Sequence, residues 1–152
     1  MENNQKLIEG LQIIVTELAQ QADGHQIQSK IFAAQGLTKL AEKYAEHATE
    51  EREYVDKCID RLLDLGVEIK LEAKKEGKVY TDPIEWVKYD LQVSKDGLVL
   101  LKTMLNDAKD DLTTFDLLKD YYKDEEEDMY WGEQQLELIE VIGKQNWILK
   151  QM

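Results

Sequence analysis

Residues 37–66, LTKLAEKYAEHATEEREYVDKCIDRLLDLG, decide the fold class. Stepping by three and four from Leu40 meets Tyr44, His47, Glu51, Tyr54, Cys58 and Leu62, the repeat of one face of an α-helix. Gly66 closes the run, as a glycine does where a helix ends. Gly36 opens it and separates an earlier helix predicted over residues 4–35. The inner face of that helix reads Leu7, Leu11, Ile14, Leu18, Ala22, Ile27 and Ile31, with Gly24 as a candidate kink. Beyond Gly66, Val67 to Thr81 is charged and poorly periodic, although Val67, Ile69 and Leu71 alternate as in a short extended piece. Asp82-Pro83 reads as an acidic cap followed by proline at the first helical position. The third helix carries Ile84, Val87, Leu91, Leu98, Leu101 and Leu105 on a stripe interrupted only by Ser94. After a turn at 106–111, a fourth is predicted over 112–142, with Phe115, Leu118, Tyr122, Met129, Leu136 and Ile139 inward. Gly143 divides it from a short tail helix holding Trp147, Ile148 and Leu149. Short links make the first two helices antiparallel neighbours, and likewise the last two, while the long middle link crosses the bundle. The prediction is all-α: a four-helix bundle of two helical hairpins joined by a long crossover, plus a short C-terminal helix, in one domain over 1–152.

Composition narrows the function. With 43% hydrophobic and 34% charged residues, the 152-residue chain fits neither a membrane protein nor a disordered one. Nineteen basic against 32 acidic residues give a net charge of −13. That charge argues against nucleic acid, which needs a basic surface to displace counterions, and against an anionic membrane. It suits a surface or cavity that attracts cations, as well as a plain soluble acidic shell. Cys58 is the single cysteine, so no intramolecular disulfide and no paired-cysteine zinc site are expected. The first residues lack the basic-then-apolar plan of a secretory signal. The expected location is cytoplasmic.

The informative residues are those that break the apolar stripes. Glu51 on the second helix and Glu125 on the fourth fall where apolar residues are expected, Asp128 follows Glu125 by one turn, and Glu17 flanks Ile14 and Leu18. A buried carboxylate is costly unless paired, hydrogen-bonded or coordinating a metal. Several meeting in one layer need either a cation or shared protons to offset their repulsion. Hard oxygen ligands favour iron, manganese, magnesium or calcium. A second reading stays open: Glu51 and Glu125 accept hydrogen bonds from Tyr44, Tyr54 or Tyr122, or reach solvent. His47, four residues before Glu51, could share a metal with it on one helix face, or be only a core-edge residue. His25, beside Gly24, has no legible role. Of the run Asp124-Glu125-Glu126-Glu127-Asp128, two residues at most face inward.

Three stretches carry a resemblance: His47-Ala48-Thr49-Glu50-Glu51-Arg52-Glu53-Tyr54, Asp124-Glu125-Glu126-Glu127-Asp128, and Leu138 through Trp147. In these, and over nearly its whole length, the chain resembles the bacterioferritin branch of the ferritin-like superfamily, including its twelve-subunit bacterial members. The resemblance implies a two-iron site with a glutamate on each of four helices, and a histidine three residues after the second and fourth. Carried onto this sequence, those positions are Glu17, Glu51 with Tyr54, Ser94, and Glu125 with Asp128. Three match and three depart, so the implied site is degenerate, with Glu17, Glu51, Tyr54, Glu125 and Asp128 as residual metal ligands. The chemistry implied is binding, storage or oxidation of ferrous iron, with manganese or another hard divalent metal as the alternative. A metal-free structural or interaction subunit is the rival. Arg52 stands where the branch has its haem methionine, so no haem is expected. The resemblance also implies self-assembly as a dimer or cage, supported by the aromatic residues and the Trp147-Ile148-Leu149 tail, which a monomer would expose.

Overall fold

The computed structural model describes residues 2–152, with side chains from residue 4 onward. Its helices are α1 (Glu2–Ala34), α2 (Thr38–Asp64), α3 (Pro83–Asp107), α4 (Leu112–Ile142) and α5 (Lys144–Lys150). No strand occurs among the described residues. The long helices pack as two hairpins, α1 against α2 and α3 against α4, with α1 also touching α3 and α2 touching α4. This is the ferritin-like arrangement expected from the sequence.

The glycines at the first two helix ends act through one mechanism. Gly36 has φ +81°, its N–H donates to the Ala33 carbonyl (3.0 Å), and the Leu37 N–H donates to the Phe32 carbonyl (2.9 Å). Gly66, at φ +73°, repeats the pattern with Leu63 and, through Val67, with Leu62. Each glycine thus supplies the left-handed residue that lets two C-terminal carbonyls find donors. At the other ends, the Asp82 carboxylate accepts from the N–H groups of Ile84 and Glu85, and Asp111 accepts from that of Thr114. Leu37 has no capping side chain, but the Lys39 N–H donates to the Gln151 carbonyl (2.8 Å). The C-terminal segment therefore covers the start of α2. Trp147 is fully buried within its own chain and donates its indole N–H to Gln135 (2.9 Å), which corrects the expectation that the tail is left for a neighbour. Only Leu149 of that trio is strongly exposed.

Residues 67–81 form no regular element; Val67 and Ile69 rest against the core while Leu71 is fully exposed. The link runs along α1, held by side-chain amides. Gln12 exchanges hydrogen bonds with the backbone of Lys70, Gln20 donates to the Lys75 carbonyl, Gln28 exchanges with the backbone of Tyr80, and Gln35 donates to the Thr81 carbonyl. The crossover thus follows α1 from near its start to its end, where α3 begins.

The phases of α2 and α3 agree with the sequence: Leu40 to Leu62 and Ile84 to Leu101 are buried where expected. Two phases need correction. On α1 the inner face after Ala22 runs through His25, Gln28, Ser29 and Phe32, leaving Ile27 47% exposed and Ile31 half-buried. On α4 Tyr121, not Tyr122, is the buried aromatic residue, and Phe115, Met129 and Leu136 are half-buried. The core separates into two apolar clusters. One includes Leu11, Leu18, Cys58, Leu62, Met104 and Leu118; the other includes Phe32, Leu40, Tyr44, Trp86, Ile139 and Trp147. Between them lies a polar layer.

Candidate metal centre

All four long helices supply that layer: His25 from α1, His47 and Glu51 from α2, Asp90 and Ser94 from α3, Glu125 and Asp128 from α4. All but Asp128 are buried, and Asp128 is half-buried. His25 is its hub. Its Nδ1 hydrogen-bonds Glu51 Oε1 and its Nε2 lies 2.8 Å from Asp90 Oδ1, while Gln21 donates to the second Glu51 oxygen (2.6 Å). Burial alone would discharge this imidazole, but Asp90 and Glu51 outweigh it and hold its pKa well above the usual value. A protonated His25 therefore offsets the two carboxylates it touches.

The far side of the layer is compensated by protons. Burial, then the charge of Glu51, pushes the Glu125 carboxyl up to about 7; burial, then Glu125, pushes Asp128 up to about 8. Glu51 is also raised by burial, against the pull of His25. His47 behaves oppositely to His25. Burial, followed by the charge of His25, takes it down to about 3, so its ring is neutral. Its Nε2 lies 3.3 Å from Asp128 Oδ1 but out of line for a hydrogen bond, and has no partner among the described residues. Aromatic rings wall this end: the His25 and His47 ring centres are 5.5 Å apart, and both rings contact Tyr44, with Trp86 beside His25 and Trp131 beside His47.

Of the residues expected from the sequence, Glu51, Glu125 and Asp128 meet here. Glu17 does not: its side chain is 55% exposed and ion-pairs with Lys74 of the crossover. The reason is phase, because the adjacent Leu18 takes the inward position. Tyr54 sits below the layer, stacked on Tyr121 (5.0 Å) with its hydroxyl donating to Asp124. Ser94 is buried at the layer, and Arg52 lies on the surface against Asp23. The four-glutamate, two-histidine pattern therefore does not fit the residues present. Its first glutamate faces solvent, its third is a serine, and its two histidine positions hold a tyrosine engaged elsewhere and an aspartate.

The sequence reading missed His25 and Asp90. Both were accessible to it: three residues on from Ala22 is His25, and Asp90 lies between Val87 and Ser94 on the α3 stripe. The competing apolar signal of Ile27 and Ile31 drew the α1 face away from His25.

Comparison with known proteins bears on this geometry. The family model described as the ferritin-like domain matches residues 10–142. The bacterial ferritin of Neisseria meningitidis serogroup B is 33% identical over 155 aligned positions that span all of both chains. That of Neisseria gonorrhoeae matches equally, at 33% over the full length of both. The bacterial ferritin of Synechocystis is 32% identical over 133 positions, covering 86% of this chain and 85% of its own.

Proposed function

Because this chain belongs to the ferritin-like family, we propose that it handles iron, taking up ferrous ion as its cargo in the polar layer of the bundle. The observation that carries this is the convergence of Glu51, Asp90, Glu125 and Asp128 with two histidines between the two apolar core clusters. A layer of this kind opposes the packing of the two core clusters, and binding a cation is the function that accounts for it. Manganese is the alternative cargo by donor chemistry. The set Glu51, Glu125 and Asp128 keeps its place in the proposal, whereas Glu17 and Tyr54 contribute at most through neighbours. Since the family's two-iron arrangement does not fit, no oxidation step is assigned to these residues. The net charge of −13 favours cation uptake, and no described helix is long and apolar enough to cross a membrane. We place the protein in the cytoplasm, as a single domain that assembles into a dimer or cage, with no nucleic-acid or membrane partner.

One observation favours the rival, a metal-free structural subunit: His25 already neutralises Glu51 and Asp90 from within the chain. The test separates the two. Chelator-treated protein is mixed anaerobically with ferrous salt, exposed to air, desalted and assayed for retained iron, with light scattering giving the particle mass. Iron retained well above a buffer control, on particles of several 17.7 kDa chains, is the expected outcome. Iron no higher than the control would establish the structural subunit instead.

A further inference from the structure

His47 Nε2 is an oddity of the interior. The side chain is 4% exposed, yet this nitrogen has no hydrogen-bond partner among the described residues. A buried polar atom left so is expensive, and the position is best understood by what it faces. One donor atom each from His25, His47 and Asp90 lie within 4.8 Å of one another, and Asp128 Oδ1 is 3.3 Å from His47 Nε2. We propose that His25, His47 and Asp90 form a mononuclear site for a divalent first-row transition metal, with Asp128 at its edge. This deepens the iron-handling reading, on which it rests, by naming where the ion binds.

On α2, α3 and α4 the set is displaced one helical turn along the bundle from the positions the family resemblance singles out, and on α1 His25 lies eight residues beyond Glu17. His47 precedes Glu51 by four residues, Asp90 precedes Ser94 by four, and Asp128 follows Glu125 by three. Because α3 and α4 are antiparallel neighbours, the steps on them lie in the same direction in space. Donors bound to one ion at about 2.1 Å sit ~3.4 Å apart in a tetrahedron, so the cluster closes by at most ~1.4 Å between any two donors on binding. The surroundings are already arranged for such an ion. Glu51 accepts from Nδ1 of His25 and is itself held by Gln21, the carboxylate–imidazole pairing that orients a ligating ring and leaves its other nitrogen for the metal. An incoming ion takes the place of the proton on His25 Nε2, which leaves to solvent. Access exists as well. A cavity of about 400 Å³ is lined by the buried His25, Trp86 and Asp90, by Gly24, and by the exposed Lys78 and Val79 of the crossover. A side chain at residue 24 would project into open space there, with no atom within 4 Å of its Cβ. Two imidazoles with one carboxylate select iron(II), cobalt(II) or zinc over magnesium and calcium.

Cobalt(II) reports the site directly. Anaerobic titration of metal-free protein is expected to give visible ligand-field bands saturating at one ion per chain, abolished by added zinc and unaffected by excess magnesium. His47→Gln and Asp90→Asn, each shown folded by circular dichroism, should weaken cobalt binding at least ~100-fold, and Glu51→Gln ~10–100-fold. Independently of any variant, X-ray absorption of the zinc-loaded protein should count two imidazole ligands. Fewer than two, or undiminished cobalt binding in both His47→Gln and Asp90→Asn, overturns the site. These readouts do not depend on storage. Two imidazoles on zinc in a protein that retains no iron would refute the function and keep the site, while iron retention without them would do the reverse.

Discussion

At the scale of single residues, Glu125 shows how an interior carboxyl leaves a signature in solution. Its proton is held up to about 7 in the folded chain, against ~4.3 for an exposed glutamate. The folded state thus binds more protons than the unfolded one between about pH 4 and 7, so stability falls as pH rises through that window. For the metal-free protein the loss attributable to this one group is ~3.5 kcal/mol by pH 8. Glu125→Gln should therefore flatten the pH dependence of urea unfolding between pH 4 and 8 and be the more stable form at pH 8. The inward position of Glu125 was legible, because it replaces an apolar residue in a regular stripe. That of His25 was outweighed: its helix offers two plausible faces after Ala22, and hydrophobicity alone ranks the one with Ile27 higher although Ile27 ends in solvent. Glu17 failed for the complementary reason, since one residue's displacement on a helix is a rotation of about 100°.

At the scale of elements, the boundaries were the most legible features, because each is a local event. Asp82-Pro83, Gly36, Gly66 and Gly143 all stand at helix ends as read. Gly36→Ala forces a side chain into a left-handed conformation at φ +81° and should cost about 1–2 kcal/mol, measured as a lowered urea midpoint with unchanged slope. Gly24→Ala, inside α1 with open space around its Cβ, should instead be neutral to slightly stabilising. The link over 67–81 was legible only as a link. Its attachment depends on glutamines 12, 20, 28 and 35, spaced seven or eight residues apart on α1, and on backbone groups more than forty residues away. No local pattern announces such pairings.

At the scale of the whole molecule, a polar layer divides two apolar clusters, and that division costs stability. His25→Leu alone leaves Glu51 and Asp90 buried without their partner and should destabilise by about 3–5 kcal/mol. The triple variant His25→Leu, Glu51→Met, Asp90→Leu removes all three polar groups together. It should unfold thermally at or above the temperature of the unaltered protein, because hydrophobic replacement of a complete buried ionic set is commonly neutral or stabilising. It should also lose cobalt binding. The crossover alongside α1 brings a different consequence. Its fastenings are separate side-chain contacts, four glutamine amides and the Glu17–Lys74 ion pair among them, rather than a continuous ladder, so they can release one at a time while the four long helices stay packed. Amide hydrogens of the strap will then trade with deuterated solvent through small partial openings, at a free energy well short of complete unfolding. The molecule is in this sense a rigid frame with a detachable seam.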